Sequence, residues 1–238
     1  MRPALLLILL ALATPAVLLA APGDPEPAPP APRQPPPPVA TTTPAPLPPV
    51  GTPPPVPEPA APARPSRAVG LPYAGRLVRG RRLPERGPGF ATWDPIRKRV
   101  GNRGWRRWGT GRLLHTLRTV LGDYARRHPD APPVLVGDLS RPRGGDFGPQ
   151  YGGIGHASHQ NGLDADVYYP RLDRRLRRPA RPDQVDRAAA QELVDAFVRA
   201  GAQYVFVGPS LGLRGPSGVV QPLTHHDDHL HVRLRGSR

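Results

Sequence analysis

The sequence predicts an α+β domain. Two segments carry apolar residues at helical spacing, several short β-branched or aromatic runs read as strands, and the connections between them are long and rich in glycine.

The chain opens with segments that carry no fold of their own. Met1 and Arg2 precede an apolar run from Ala4 to Ala21. One positive charge, a leucine-rich centre and small residues at Ala20 and Ala21 predict a secretory signal over 1–21. Leu18 and Leu19 stand where a cleavage site favours a small residue, and the run is nearly long enough to span a bilayer. A retained N-terminal membrane anchor is therefore the alternative. From Pro22 to Pro65 close to half the residues are proline. Such a segment cannot bury a core, and it extends by about 3.1 Å per residue where it adopts polyproline II. Residues 22–69 are read as a disordered, semi-rigid spacer.

The folded domain is expected over 70–238. Residues 71–108 read as loop and short strand, and they hold Trp93, Trp105 and Trp108, which either cover the core or line a groove. Thr110 is placed to cap a helix running to about Arg127, with Leu113, Leu114, Leu117, Val120, Leu121 and Tyr124 on its apolar face. Pro129 stops it. Val134–Val136 is a buried strand, followed by a glycine-rich loop over 139–155, and Asp138 at its start either orients a ligand or accepts turn hydrogen bonds. Asp166 opens a further strand through Tyr169, and Gly162 before it permits a sharp turn. After a basic loop, Asp173–Arg181, Asp183 is placed to cap a helix through about Ala200 that Gly201 ends. Its inward residues are Val185, Ala189, Leu193 and Phe197. Tyr204–Val207 and His229–Leu234 are the last strands, joined by a long loop over Gly208–Leu223.

Charge narrows the partners. The 238 residues carry a net charge of +15 and no cysteine. Arg2, Arg33 and Arg64 cancel Asp24, Glu26 and Glu58, so the whole excess lies from Arg67 onward. A basic domain suits nucleic acid, an anionic membrane surface or an acidic polymer. No nucleic-acid recognition motif or stacking platform occurs, and an exported chain would not meet that partner.

Six of the eight histidines fall in two stretches, Gly155–Asp166 and His225–His231. With no cysteine available, a metal here must take nitrogen and oxygen ligands. Imidazole with carboxylate suits zinc, and fewer than four protein ligands leave a position for water. Leu230, Val232 and Leu234 alternate with His229, His231 and Arg233, so the two histidines share the face turned away from the core. One can bind metal while the other stays free for chemistry. Asp164 shares a strand face with Asp166 and is either an acceptor for a histidine N–H or an exposed turn residue.

These stretches resemble the penicillin-insensitive murein endopeptidases, within the wider group of lysostaphin-type enzymes, D-Ala-D-Ala metallopeptidases and hedgehog proteins. The shared pattern is His159, six residues, Asp166, then His229-Leu230-His231; Val134–Asp138, Gly144-Gly145, Gly155–Asp166 and His231–Leu234 also look like the endopeptidase branch. The resemblance runs from about Leu71 onward and implies a small antiparallel sheet holding zinc in a groove. It implies His159, Asp166 and His231 as ligands, His229 as general base or oxyanion holder, and His226 as its assistant. His156 matches a histidine that joins a second metal in the family. The Asp-x-x-His completing that second site is missing, so one zinc is expected, and His156 stands as a further candidate ligand that otherwise meets substrate. The implied function is hydrolysis of D-Ala-containing cross-links in peptidoglycan by an exported protein, in the periplasm or cell wall. Two alternatives stay open: a D,D-carboxypeptidase or dipeptidase on the same scaffold, and a non-catalytic zinc-containing wall-binding module.

Overall fold

A computed structural model of the protein describes residues 64–148 and 156–236. The expected leader, most of the proline-rich spacer and part of the glycine-rich loop lie outside the described residues. The elements in order are β1 (Arg67–Leu71), β2 (Ala74–Val78), β3 (Arg81–Arg82), β4 (Arg86–Gly87), β5 (Phe90–Asp94), β6 (Arg99–Val100), β7 (Trp108–Gly109) and α1 (Gly111–Arg127). Then follow β8 (Val134–Val136), β9 (Asp164–Tyr168), α2 (Arg187–Arg199), β10 (Ala202–Val207), β11 (Val220–Pro222) and β12 (His229–Leu234).

The fold is α+β, with mostly antiparallel pairing. The main sheet is larger than the small one expected: it has eight strands in the order β11-β10-β12-β9-β8-β5-β4, with β6 beside β5. Two of its pairings are parallel, β10 with β11 and β5 with β8. Antiparallel pairing joins the central strands β10, β12 and β9. β1 and β2 form a separate hairpin, so regular structure begins just before Gly70.

Both helices cover one face of this sheet. In α1 the Thr110 hydroxyl accepts from the Leu113 N–H, and the expected apolar stripe from Leu113 to Tyr124 is buried. It packs with Leu193, Val194 and Phe197 of α2 against Val136, Ala165, Val167, Val205, Leu230, Val232 and Leu234. Burying a side chain such as Leu230 or Val232 stabilises the fold by about 1.5–3 kcal/mol each. A one-residue slip of β12 would carry the histidines into this core, so the apolar set fixes their register.

The second helix starts later than expected. Asp186, not Asp183, caps it, accepting from the Ala189 N–H. Pro182–Gln184 form a single 3-10 turn, Val185 is extended, and Asp183 pairs with Arg181. Val185 still points inward, although it precedes the helix. Gly201 ends the helix region at φ +79°, a conformation that suits glycine. Trp93 packs edge-on to Tyr168 in a smaller cluster with Ala91 and Leu135, and Trp105 lies against Phe147.

Candidate metal centre

The face of the sheet away from the helices carries the histidines and aspartates. Across the β9–β12 pair, His231 stands opposite Asp166, His229 opposite Tyr168, and Arg233 opposite Asp164. His159 reaches the same place from the turn before β9. It holds a left-handed φ of +68°, and Gly162 follows at +77°. A side chain on Gly162 would strike Leu77, so only glycine allows this return.

Four imidazoles surround the Asp166 carboxylate. His159 Nε2 is 3.3 Å from Oδ1, His231 Nδ1 3.6 Å, and His229 Nε2 3.7 Å, while His156 Nδ1 is 3.9 Å from Oδ2. His156, His159 and Asp166 offer ligand atoms all within 4.8 Å of one another. The set implied by resemblance shares His159 and Asp166 with that group and takes His231 as the third residue.

The outer hydrogen bonds decide which ring nitrogens face inward. His159 Nδ1 lies 3.0 Å from the Leu139 carbonyl, which can only accept, so Nδ1 carries a proton and Nε2 is the nitrogen turned to Asp166. His159 Nε2 and Asp166 Oδ1 are both buried without a hydrogen-bond partner. A buried ring nitrogen and a buried carboxylate oxygen 3.3 Å apart are costly unless a proton or a metal cation lies between them. His231 Nε2 contacts Asp164 Oδ1 at 2.7 Å, and Arg233 Nε donates to the same oxygen at 2.6 Å. Asp164 is thus an acceptor for a histidine N–H, the buried one of its two readings. His156 Nε2 is 2.8 Å from Asp138 Oδ2. Asp138 in turn is gripped by Arg106 through two donors and by Asn102 Nδ2 at 2.9 Å. His229 Nδ1 meets Asp228 Oδ1 at 2.6 Å, and Arg178 Nη1 meets Asp228 Oδ2 at 2.6 Å. His226 stands beside His229 with its Nδ1 2.8 Å from the Thr224 carbonyl.

These contacts set the charge states. Burial would raise the Asp166 pKa, but His159, His229 and His156 outweigh it and hold the carboxyl well below the usual range. Burial pushes His231 down despite Asp164, which favours the neutral imidazole that metals bind. Burial also pushes His226 down. For His156 burial is overcome by Asp138 and Asp166, and for His229 by Asp166 and Asp228; both are raised.

A cleft opens on each side of the cluster, and His156, Asp166, His225 and His229 line both. One, of about 590 Å³, extends over β10 and is walled by Tyr73, Phe206 and Leu223. The other, of about 230 Å³, extends the opposite way and is walled by Pro95, Tyr168, Asp138, Arg178 and Asp228. Among the described residues, none of the three tryptophans lines either cleft.

All six residues singled out from sequence lie in this region, and of the five histidines among them all but His226 face Asp166 directly. Reading the sequence missed Arg106, Arg178 and Asp228. Arg106 and Arg178 meet their aspartates only through the fold, whereas Asp228 adjoins His229 in the chain; only the basic character of Asp173–Arg181 hinted at Arg178.

A model of the family described as penicillin-insensitive murein endopeptidase matches residues 68–207, and the match stops before β12. Curated relatives named penicillin-insensitive murein endopeptidase from Salmonella heidelberg (strain SL476) and Escherichia coli O157:H7 are each 32% identical over 128 residues. One from Yersinia pestis is 30% identical over 128 residues. Each alignment covers 43% of this chain and 45% of the relative, so the chain spans under half the length of the curated relatives it matches. The family match covers more than half of the chain and takes in β9, where Asp166 gathers its imidazoles: the chain belongs to the penicillin-insensitive murein endopeptidase family.

Proposed function

We propose that this chain is a zinc-dependent murein endopeptidase that hydrolyses D-Ala-containing peptide cross-links of peptidoglycan. The observation that carries this reading is the pair of clefts on opposite sides of Asp166. A polymer can pass over such a site in both directions. A D,D-carboxypeptidase or dipeptidase needs a wall that stops a free stem end close to the bond, and the described residues close neither cleft in that way.

The donor set fits zinc: neutral imidazole nitrogens, one carboxylate and two orphaned polar atoms 3.3 Å apart. His159 Nε2, Asp166 and His231 Nδ1 would hold it. When bound, zinc supplies a Lewis acid that polarises the scissile carbonyl and brings the pKa of water to about 7.

His229 does the proton work. Its Nδ1–H is committed to Asp228, so Nε2 can take a proton from the attacking water and return it to the leaving amine. Asp228 and Asp166 stabilise the imidazolium formed between those two events. His226 is neutral and donates from Nδ1 to Thr224, so its Nε2 is an acceptor for a substrate N–H. It orients the peptide and does not donate to an oxyanion. His156 keeps a proton on Nε2 for Asp138 and turns Nδ1 toward the groove, where it meets substrate; one zinc is proposed. A non-catalytic wall-binding module would have no use for the Asp228–His229 pair.

Residues 1–21 are proposed to export the chain to the periplasm or cell wall, as a cleaved signal or a retained anchor. No helix among the described residues is long and apolar enough to cross a membrane. Residues 22–69 act as a spacer that lets the 70–238 peptidase reach its polymer, and the basic surface draws the domain to anionic wall material.

The test is incubation of the full chain with cross-linked and uncross-linked muropeptides. Cross-linked dimers should fall to monomers, chelation should stop the reaction, added zinc should restore it, and penicillin should not affect it. Release of terminal D-Ala from uncross-linked stems would make the chain a carboxypeptidase. Binding without turnover would make it a wall-binding module.

A further inference from the structure

The two clefts differ in chemistry. Tyr73, Phe206 and Leu223 give one an apolar wall, whereas Arg178 and Asp228 give the other a charged one. Arg178 belongs to the basic loop, which is built around a buried cation. Arg171 is 6% exposed; its guanidinium binds both oxygens of Asp173, the Gln184 side chain at 2.7 Å and the Arg178 carbonyl at 3.4 Å. That network fixes where Arg178 stands. Nη1 of Arg178 donates to Asp228 Oδ2 and, at 3.4 Å, to the Pro179 carbonyl. Its Nε and Nη2 make no hydrogen bond among the described residues, and its side chain is 34% exposed. The anions beside it are already matched, Asp138 by Arg106 and His156, Asp228 by Arg178 itself and His229. A planar fork of free donors therefore stands in the same cleft as His229 and Asp166.

We propose that Arg178 is a specificity-determining residue that binds a substrate carboxylate on the leaving-amine side of the scissile bond. The proposal rests on the endopeptidase reading. Where the cross-linking residue is a diamino-dicarboxylic acid, the carbon bearing the scissile nitrogen also bears a carboxylate. That group is held close to the reacting amide by covalent geometry, and Arg178 is the arginine that lines the cleft beside His229, with Nε and Nη2 to spare. The acyl side of the bond, with its methyl group, then lies toward Phe206 and Leu223.

The experiment compares cleavage of two cross-linked dimers, one with this carboxylate free and one with it amidated. Wild type, Arg178→Ala and Arg178→Lys are measured on both. Wild type should favour the free acid by roughly 10- to 100-fold in kcat/KM, the worth of one charge-assisted hydrogen bond. Arg178→Ala should lose that preference by falling on the free acid, mainly through KM, because the contact is made in both ground and transition states. Arg178→Lys should recover part of it. If Arg178 only props Asp228 and His229, Arg178→Ala slows both dimers by the same factor, the preference survives, and the proposal is overturned. Wild type cleaving both dimers equally also overturns it and leaves the endopeptidase reading standing. Cleavage of neither dimer removes that reading and this proposal together.

Discussion

His156 and His231 stand on opposite sides of Asp166 and are built alike. Each offers Nδ1 to that carboxylate and ties Nε2 to a buried aspartate that an arginine holds in turn: Asp138 with Arg106, and Asp164 with Arg233. They differ in depth and charge. His231 is the more buried, and burial lowers its pKa; Asp138 and Asp166 raise that of His156 over the burial penalty. A metal ligand must be neutral, so ligation by His156 begins with loss of a proton that its surroundings favour, whereas His231 is already in the binding form. Similar geometry with opposite charge preference is what favours the proposal of His231 as the third ligand and of His156 as a group facing substrate.

The largest expected effect breaks this pair apart. His231→Ala should lose both zinc and activity, while His156→Ala should keep its zinc, measured as metal per protein by elemental analysis. The reverse result would make His156 the third ligand. Within β12 the neighbouring histidine sharpens the contrast. His229→Ala should retain zinc yet lose about 10²–10⁴ in kcat, the usual worth of a positioned acid–base group. Full activity in that variant would end its proposed proton role.

A smaller effect is expected one bond further out. Asp164→Asn should weaken zinc about 10- to 100-fold in a chelator competition, the usual cost of losing a ligand's hydrogen-bond partner. Asp138→Asn should leave zinc affinity near wild type if His156 is not a ligand. Equal losses in the two variants would erase the distinction.

The smallest effect is a difference of slope in the metal-free protein. A histidine whose folded pKa is raised stabilises the fold below its unfolded pKa, about 6.5, and that contribution fades as pH rises through the folded value. His156 is of this kind. A histidine whose folded pKa is lowered costs stability as pH falls below about 6.5. His231 is of that kind. In chelator-treated samples, the destabilisation by His156→Ala should therefore grow from pH 8 to pH 5, and that by His231→Ala should shrink. Melting temperatures across that range would show parallel curves if the two histidines share one charge preference.

How much of this was legible in the sequence depends on how local each signal is. The α1 cap at Thr110, the apolar stripe behind it and the alternation in β12 are written within a few residues, and the structure follows them. The start of α2 falls three residues beyond the expected cap, Asp183, because Asp186 is just as able chemically to cap a helix. Pro182 began a 3-10 turn that consumed the first of them. β11 has no signal of its own, since Val220–Pro222 is a strand only by lying along the edge of β10. The supports of the site were least legible. Asp138 and Arg106, or Asp228 and Arg178, are far apart in the chain, and nothing local to either residue names its partner.

The strand order has a consequence for how the protein comes into being. β12 lies between β9 and β10, although it is made after both. The middle of the sheet therefore stays open while the chain is being synthesised, and β9 and β10 gain their shared strand partner only when the later strand is inserted. Asp166 waits for His231 through the same interval. The cluster is completed by the same strand that closes the sheet, so a chain that has not yet placed β12 has no assembled centre.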